Sequence, residues 1–215
     1  SNGLLQNVQP GDTICVPAGN YPYIQFFNYV GSKEKPLVFI NCGGQVKVGD
    51  GGNYGLIFNQ SKFFKVTGSG SADKYGFYID GVSKPLSSGL AMGKGCTNYE
   101  AERIEIARAS AGVLAKINPD CDPINQYPNF EIRDLSFHDL YVHDIVGEGL
   151  YIGNTLPNGA DITCADGSVI RALPPRIYNV KIYNVITRNT GWDGIQVASA
   201  PQGVEIYNNE VYNFG

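Results

Sequence analysis

Leu135-Ser136-Phe137-His138-Asp139-Leu140-Tyr141-Val142-His143-Asp144-Ile145-Val146-Gly147-Glu148-Gly149-Leu150-Tyr151-Ile152 returns forty-five residues later as Val180-Lys181-Ile182-Tyr183-Asn184-Val185-Ile186-Thr187-Arg188-Asn189-Thr190-Gly191-Trp192-Asp193-Gly194-Ile195-Gln196-Val197. Both copies begin with an apolar-polar-apolar triplet, the mark of a strand with one buried face. Both end with a glycine followed by a second alternating triplet. A unit this short cannot cover its own apolar face, but stacked copies can. A sandwich would not place triplets and glycines in one fixed order.

Outward from this pair, the first triplet is matched to Phe64-Lys65-Val66, Ile104-Glu105-Ile106 and Val204-Glu205-Ile206. The Gly-opened strand is matched to Gly76-Phe77-Tyr78-Ile79 and Gly112-Val113-Leu114-Ala115. Asp139, Asn184 and Asn208 fall at one corner of the unit, and Asp144, Asn189 and Asn213 at another. Short amide and carboxylate side chains suit such corners, because they bond nearby backbone and tolerate left-handed conformations. The expected fold is an all-β right-handed parallel β-helix with an N-terminal cap. Residues 1–215 are expected to form one domain, the N-terminal part of a longer solenoid. Surplus residues follow the Gly-opened strand, giving long loops at 80–101, 118–130 and 153–176 on one edge, where solenoids usually build binding surfaces.

Charged residues make up 17% of the 215 and the net charge is −4, which argues against a nucleic-acid surface. No apolar run approaches the roughly 18 residues of a membrane span. A leader peptide is either removed or was never present. Five cysteines show no metal-binding spacing. Cys15 and Cys42 read as buried thiols. Cys96, Cys121 and Cys164 each lie in one long loop, and the expected bridge is Cys96–Cys121, against free thiols. A bridge implies an oxidising compartment, so the protein is expected to be secreted or at the cell surface.

The opening Leu4-Leu5-Gln6-Asn7-Val8-Gln9-Pro10-Gly11-Asp12-Thr13-Ile14-Cys15-Val16-Pro17-Ala18-Gly19-Asn20-Tyr21 resembles the cap helix and first strand of the pectate-lyase-like β-helix superfamily. Lys35-Pro36-Leu37-Val38-Phe39-Ile40 and Gly43-Gly44-Gln45-Val46 resemble its alginate-lyase and chondroitinase-B-like members. The resemblance implies a monomer acting on a polysaccharide. In those lyases a Lys base, an Arg acid and calcium held by Asn and Glu do the chemistry. That motif matches no stretch of this chain, nor do the paired aspartates of the related hydrolases.

Site candidates therefore come from the repeat. Tyr78, Leu114, Tyr151 and Gln196 are expected in one outward row, with Lys116 two residues beyond Leu114. Glu148 stacks with Asp193 at the preceding turn, and Trp192 adjoins it; His143, Arg188 and Tyr212 share another row one strand earlier. A uronate lyase needs a base for the C5 proton, an acid for the leaving oxygen and a cation for the carboxylate. His143, Lys116 or Tyr151 is the candidate base and Arg188 the neutralising cation; Trp192, Tyr78, Gln196 and Tyr212 are candidate sugar contacts. Glu148 and Asp193 are candidate ligands for Ca2+, a cation of hard oxygens, or simply turn residues beside glycine. The competing reading is a non-catalytic glycan-binding or adhesive module; a bare spacer does not account for the long loops.

Overall fold

In the computed structural model, residues 7–49, 54–82, 84–85 and 87–215 are described. Twenty short strands carry almost all the regular structure. The first are β1 (Thr13–Tyr21), β2 (Ile24–Phe27), β3 (Leu37–Val48), β4 (Tyr54–Asn59), β5 (Lys62–Thr67) and β6 (Phe77–Asp80). Next come β7 (Ser88–Met92), β8 (Thr97–Glu102), β9 (Ile104–Ala107), β10 (Ala111–Ala115), β11 (Glu131–His138), β12 (Tyr141–Ile145) and β13 (Leu150–Ile152). A hairpin, β14 (Ala160–Thr163) and β15 (Val169–Ala172), precedes β16 (Arg176–Tyr183), β17 (Ile186–Thr190), β18 (Ile195–Val197), β19 (Gln202–Tyr207) and β20 (Glu210–Phe214).

The strands form three parallel ladders. One runs β3-β5-β8-β11-β16-β19, a second β3-β6-β9-β12-β17-β20, and a third β2-β4-β7-β10-β13-β18. The twelve-residue β3 bends from the first ladder into the second and also pairs with β1. Long parallel ladders, each revisited by successive coils, are the substance of a β-solenoid. Apolar side chains from all three ladders meet in one core running from Ile14 to Val185. Inside it Phe58 stacks on Phe64 at 4.5 Å, Phe64 on Tyr99 at 5.5 Å, and Tyr99 meets Phe137 edge-on at 5.9 Å.

The forty-five-residue repeat is the register itself. Leu135 pairs with Val180, Phe137 with Ile182, Val142 with Thr187 and Ile152 with Val197. Earlier coils are assembled differently from expectation. The true first-ladder neighbour of Phe64-Lys65-Val66 is Tyr99-Glu100-Ala101, whereas Ile104-Glu105-Ile106 and Phe77-Tyr78-Ile79 both belong to the second ladder. Consequently Asp80–Ala101 is no loop, since it contains β7 and most of β8. The Gly-opened strands before Gly112 are those of Gly55 and Gly89. The expected cap helix lies largely in residues 1–6, outside the described residues.

A column of glycines explains why the third-ladder strands open as they do. A Cβ on Gly55 would lie 2.7 Å from the Gly89 carbonyl oxygen, and one on Gly89 3.0 Å from that of Gly112. On Gly112 it would lie 2.3 Å from the Gly149 oxygen, and on Gly149 2.4 Å from that of Gly194. All six expected corner residues adopt left-handed φ, from 48° at Asn213 to 55° at Asp144. Their side chains form ladders: Asn184 donates to Asp139 (3.3 Å), Asn189 to Asp144 (2.8 Å) and Asn213 to Asn189 (3.0 Å). A third such ladder, in which Asn98 and Asn179 both donate to Asp134, was not foreseen.

The cysteine expectations are corrected. Cys15 and Cys42 form a disulfide with Cα atoms 5.7 Å apart. Strand alternation sends Ile14 and Val16 inward, so Cys15 faces outward rather than into the core. The loop bridge is Cys121–Cys164, again with Cα atoms 5.7 Å apart, while Cys96 is a buried free thiol. Burial pushes the Cys96 thiol up to about 11. Among the described residues no helix is long and apolar enough to cross a membrane.

Candidate functional site

On the outer side of the third ladder, pairing sets Gln25, Ile57, Ala91, Leu114, Tyr151 and Gln196 in one row. Leu114, Tyr151 and Gln196 are together as expected. Tyr78 is absent from that row: it pairs with Lys47 and Glu105 on the second ladder, where its hydroxyl donates to Asp80 at 3.0 Å. Its triplet looks like a third-ladder strand because the glycine before it mimics the glycine column.

Lys116 follows β10, and its Nζ sits 3.9 Å from the centroid of the Tyr151 ring, one rung further on. The Tyr151 hydroxyl is 3.1 Å from Thr155 Oγ1. Beneath the loops, buried Asn154 donates to Asn118 Oδ1 (3.1 Å) and accepts from the Leu156 amide (2.8 Å). These two asparagines carried no repeat signal, because both lie in the irregular surplus between coils.

The two surplus segments after this ladder are built rather than slack. Residues 118–130 include a 3-10 turn, Pro123–Asn125, capped by the Asp122 carboxylate. Residues 153–176 include the β14–β15 hairpin, and Cys121–Cys164 joins the two segments. Lys94 pairs with Asp120, whose carboxyl is held below its usual range by Lys94 and Asn125. A groove of about 620 Å³ runs over the earlier rungs of the ladder up to Asn118, lined among others by Tyr23, Tyr54, Gln25, Lys94, Leu114 and Lys116. Among the described residues no aspartate or glutamate lines it.

The structure places the other expected site residues elsewhere. His143, Arg188 and Tyr212 occupy consecutive rungs of the second ladder, stacked in one row as expected. His143 meets Asp144 at Nδ1 (2.8 Å) and Glu105 at Nε2 (3.3 Å). Both ring nitrogens thus face carboxylates, and neither is open to a sugar. Trp192 is 62% exposed in the turn between these ladders, its ring over Gly147. Glu148 is buried and Asp193 exposed, with the Asp193 carboxylate accepting from Gln196 at 2.7 Å. Calcium takes six to eight oxygens; these two carboxylates do not by themselves make such a site.

One cluster of metal-ligand type does exist among the described residues, on the first ladder: Glu100, Glu102 and His138. Lys65 already bridges its carboxylates, at 2.6 Å from Glu100 and 2.8 Å from Glu102.

In fold, the chain is similar to an alginate lyase. That enzyme, from Paenibacillus sp. str. FPU-7, superposes with a TM-score of 0.55 over 98% of this chain and 72% of its own, at 16% identity. Identity that low carries the fold and not the chemistry. Neither a protein-family model nor a curated protein matches the sequence.

Proposed function

We propose that the chain is a polysaccharide lyase of the right-handed parallel β-helix type, acting outside the cytoplasm on a uronate-containing glycan. The observation that carries this is the contact of Lys116 with Tyr151 beside a groove lined by tyrosines and lysines. Right-handedness rests on the rule that parallel crossovers take that hand. The extracellular setting is supported by two disulfides, which persist where the surroundings oxidise thiols.

Each residue has a role in β-elimination. The C5–H and C4–O bonds break, a C4=C5 double bond forms, and the leaving oxygen takes a proton. The Lys116 ammonium neutralises the uronate carboxylate, which makes the C5 proton removable. The Tyr151 oxygen transfers the proton. Asn118, held by Asn154, positions the carboxylate, and Tyr23 and Tyr54 offer ring faces to neighbouring sugars. No step is routed through a metal ion.

The test is product absorbance of unsaturated uronate on a panel of uronate polysaccharides, with and without a chelator. Tyr151→Phe should cut kcat about 100-fold or more, in the range of lost acid–base catalysis, at an unchanged melting temperature. Lys116→Met should lose activity comparably. Glycan binding without product on any substrate would overturn the lyase and leave a binding module.

A further inference from the structure

The second ladder carries a cleft of its own. Its volume is about 670 Å³, and Lys74, Tyr75, Glu105, Tyr141, Arg188 and Tyr212 line it. We propose that this cleft is a second, non-catalytic binding site for an acidic oligosaccharide, separate from the Lys116–Tyr151 groove. The ligand class is shared with the function proposed above; the site is independent of it.

The cleft has a constructed wall. The segment before β6 is pinned by Asn41, which is fully buried: its Nδ2 donates to Gly44 O (2.7 Å) and Ser71 Oγ (3.0 Å), and its Oδ1 accepts from Gly70 N (2.8 Å). Gln45 holds the Tyr75 carbonyl at 3.0 Å. Tyr75 is thereby set against Tyr141, two rungs away, with centroids 6.2 Å apart and planes 28° from parallel. Lys74 lies 5.0 Å above the Tyr75 ring.

Charge decides what fits. Among the described residues Glu105 is the one acid of the lining, and His143 engages it at 3.3 Å. Lys74 and Arg188 are both exposed, so the cleft offers two cations on a chain of net charge −4. Arg188 presents a planar fork suited to a carboxylate. Tyr75, Tyr141 and Tyr212 offer aromatic surface to pyranose rings. Uronates supply both a carboxylate and an apolar ring face. A neutral glycan would add no ion pair to either cation. His143, beside the cleft, has both ring nitrogens engaged by carboxylates, and the cleft is assigned to holding the chain.

The experiment is calorimetric titration of the full chain in the Tyr151→Phe background with a sized oligouronate, beside a neutral oligosaccharide of equal length. The expectation is two bound oligouronates per chain, falling to one in Lys74→Gln/Arg188→Gln at an unchanged melting temperature, with no binding of the neutral control. Unchanged stoichiometry and affinity in the double variant would overturn the second site. If Lys116→Met alone abolishes all binding, the second site fails and the proposed lyase stands. If the double variant loses a site while the native chain yields no unsaturated product, the lyase fails and the second site stands.

Discussion

At the scale of single residues, the most heavily coupled side chains lie on the first ladder. His138 is buried, touches Asp139 (2.7 Å) and Glu100 (3.1 Å), and stacks on Tyr183 at 4.5 Å. Its hydrogen bond to Glu100, with help from Lys65 and against burial, lowers the Glu100 carboxyl to about 2 from 4.5. Burial opposes the charged form of His138, but Glu100 and Asp139 outweigh it and raise the imidazole above 6.5. The signs follow by linkage. The depressed carboxylate contributes stability above pH 4.5 that is lost as pH falls toward 2. The raised imidazole contributes stability below pH 6.5 that is lost as pH rises through its folded value. Thermal melting should therefore peak between these limits. His138→Gln should flatten the alkaline side of the profile and Glu100→Gln the acid side. Neither member of the pair stood out in the sequence as a partner of the other, because they sit thirty-eight residues apart and only the register unites them.

Elements are held in place by backbone crowding and by corner amides. Gly112→Ala puts a methyl 2.3 Å from the Gly149 oxygen and 2.4 Å from a Val142 methyl. Neither neighbour can move without shifting a rung, so the cost should be about 3 kcal/mol, read from urea denaturation. Asn189 separates two contributions. Asn189→Gly keeps the left-handed corner, φ 52°, but loses the bonds to Asp144 and from Asn213. Asn189→Ala loses both and should be less stable than the glycine variant by about 1 kcal/mol.

The late coils were legible because two copies of nearly equal length lie side by side in the sequence. Their corner residues declared themselves by composition. The early coils were not legible, for a physical reason. Tyr99-Glu100-Ala101 fills its place with one large and one small residue, which no longer looks like a copy of Phe64-Lys65-Val66. Meanwhile Ile104-Glu105-Ile106 has the expected aliphatic form on the wrong ladder. A buried position specifies volume in context rather than residue type.

For the molecule as a whole, the disulfides and loops set the limits. Cys121 and Cys164 close a separation of 43 residues, and in the chain-entropy view such a cross-link contributes at most about 4 kcal/mol. Cys121→Ser/Cys164→Ser should lower stability toward that amount and loosen the groove, raising KM more than it lowers kcat. The single-Cys variant Cys96→Ala should leave the bridge intact. Sequence reasoning found Lys116, Tyr151 and Gln196 on one side of the molecule because strand alternation is local. It also set His143, Arg188 and Tyr212 in a row of their own, which the register places on the second ladder; Tyr78 is the residue it assigned to the wrong ladder. Asn118 and Asn154 lie where the repeat is interrupted, so periodicity had nothing to say about them.

The parallel ladders also make the groove a ruler. Gln25, Tyr54 and Leu114 sit on β2, β4 and β10, the first, second and fourth rungs of the third ladder. With rungs about 4.8 Å apart, the graduated length is about 14 Å. A glycan lying along it gains one set of contacts per rung. Affinity should therefore rise in discrete steps with each added sugar and then level off abruptly once the last rung is passed. Adding or removing one whole coil would lengthen or shorten the scale without bending it.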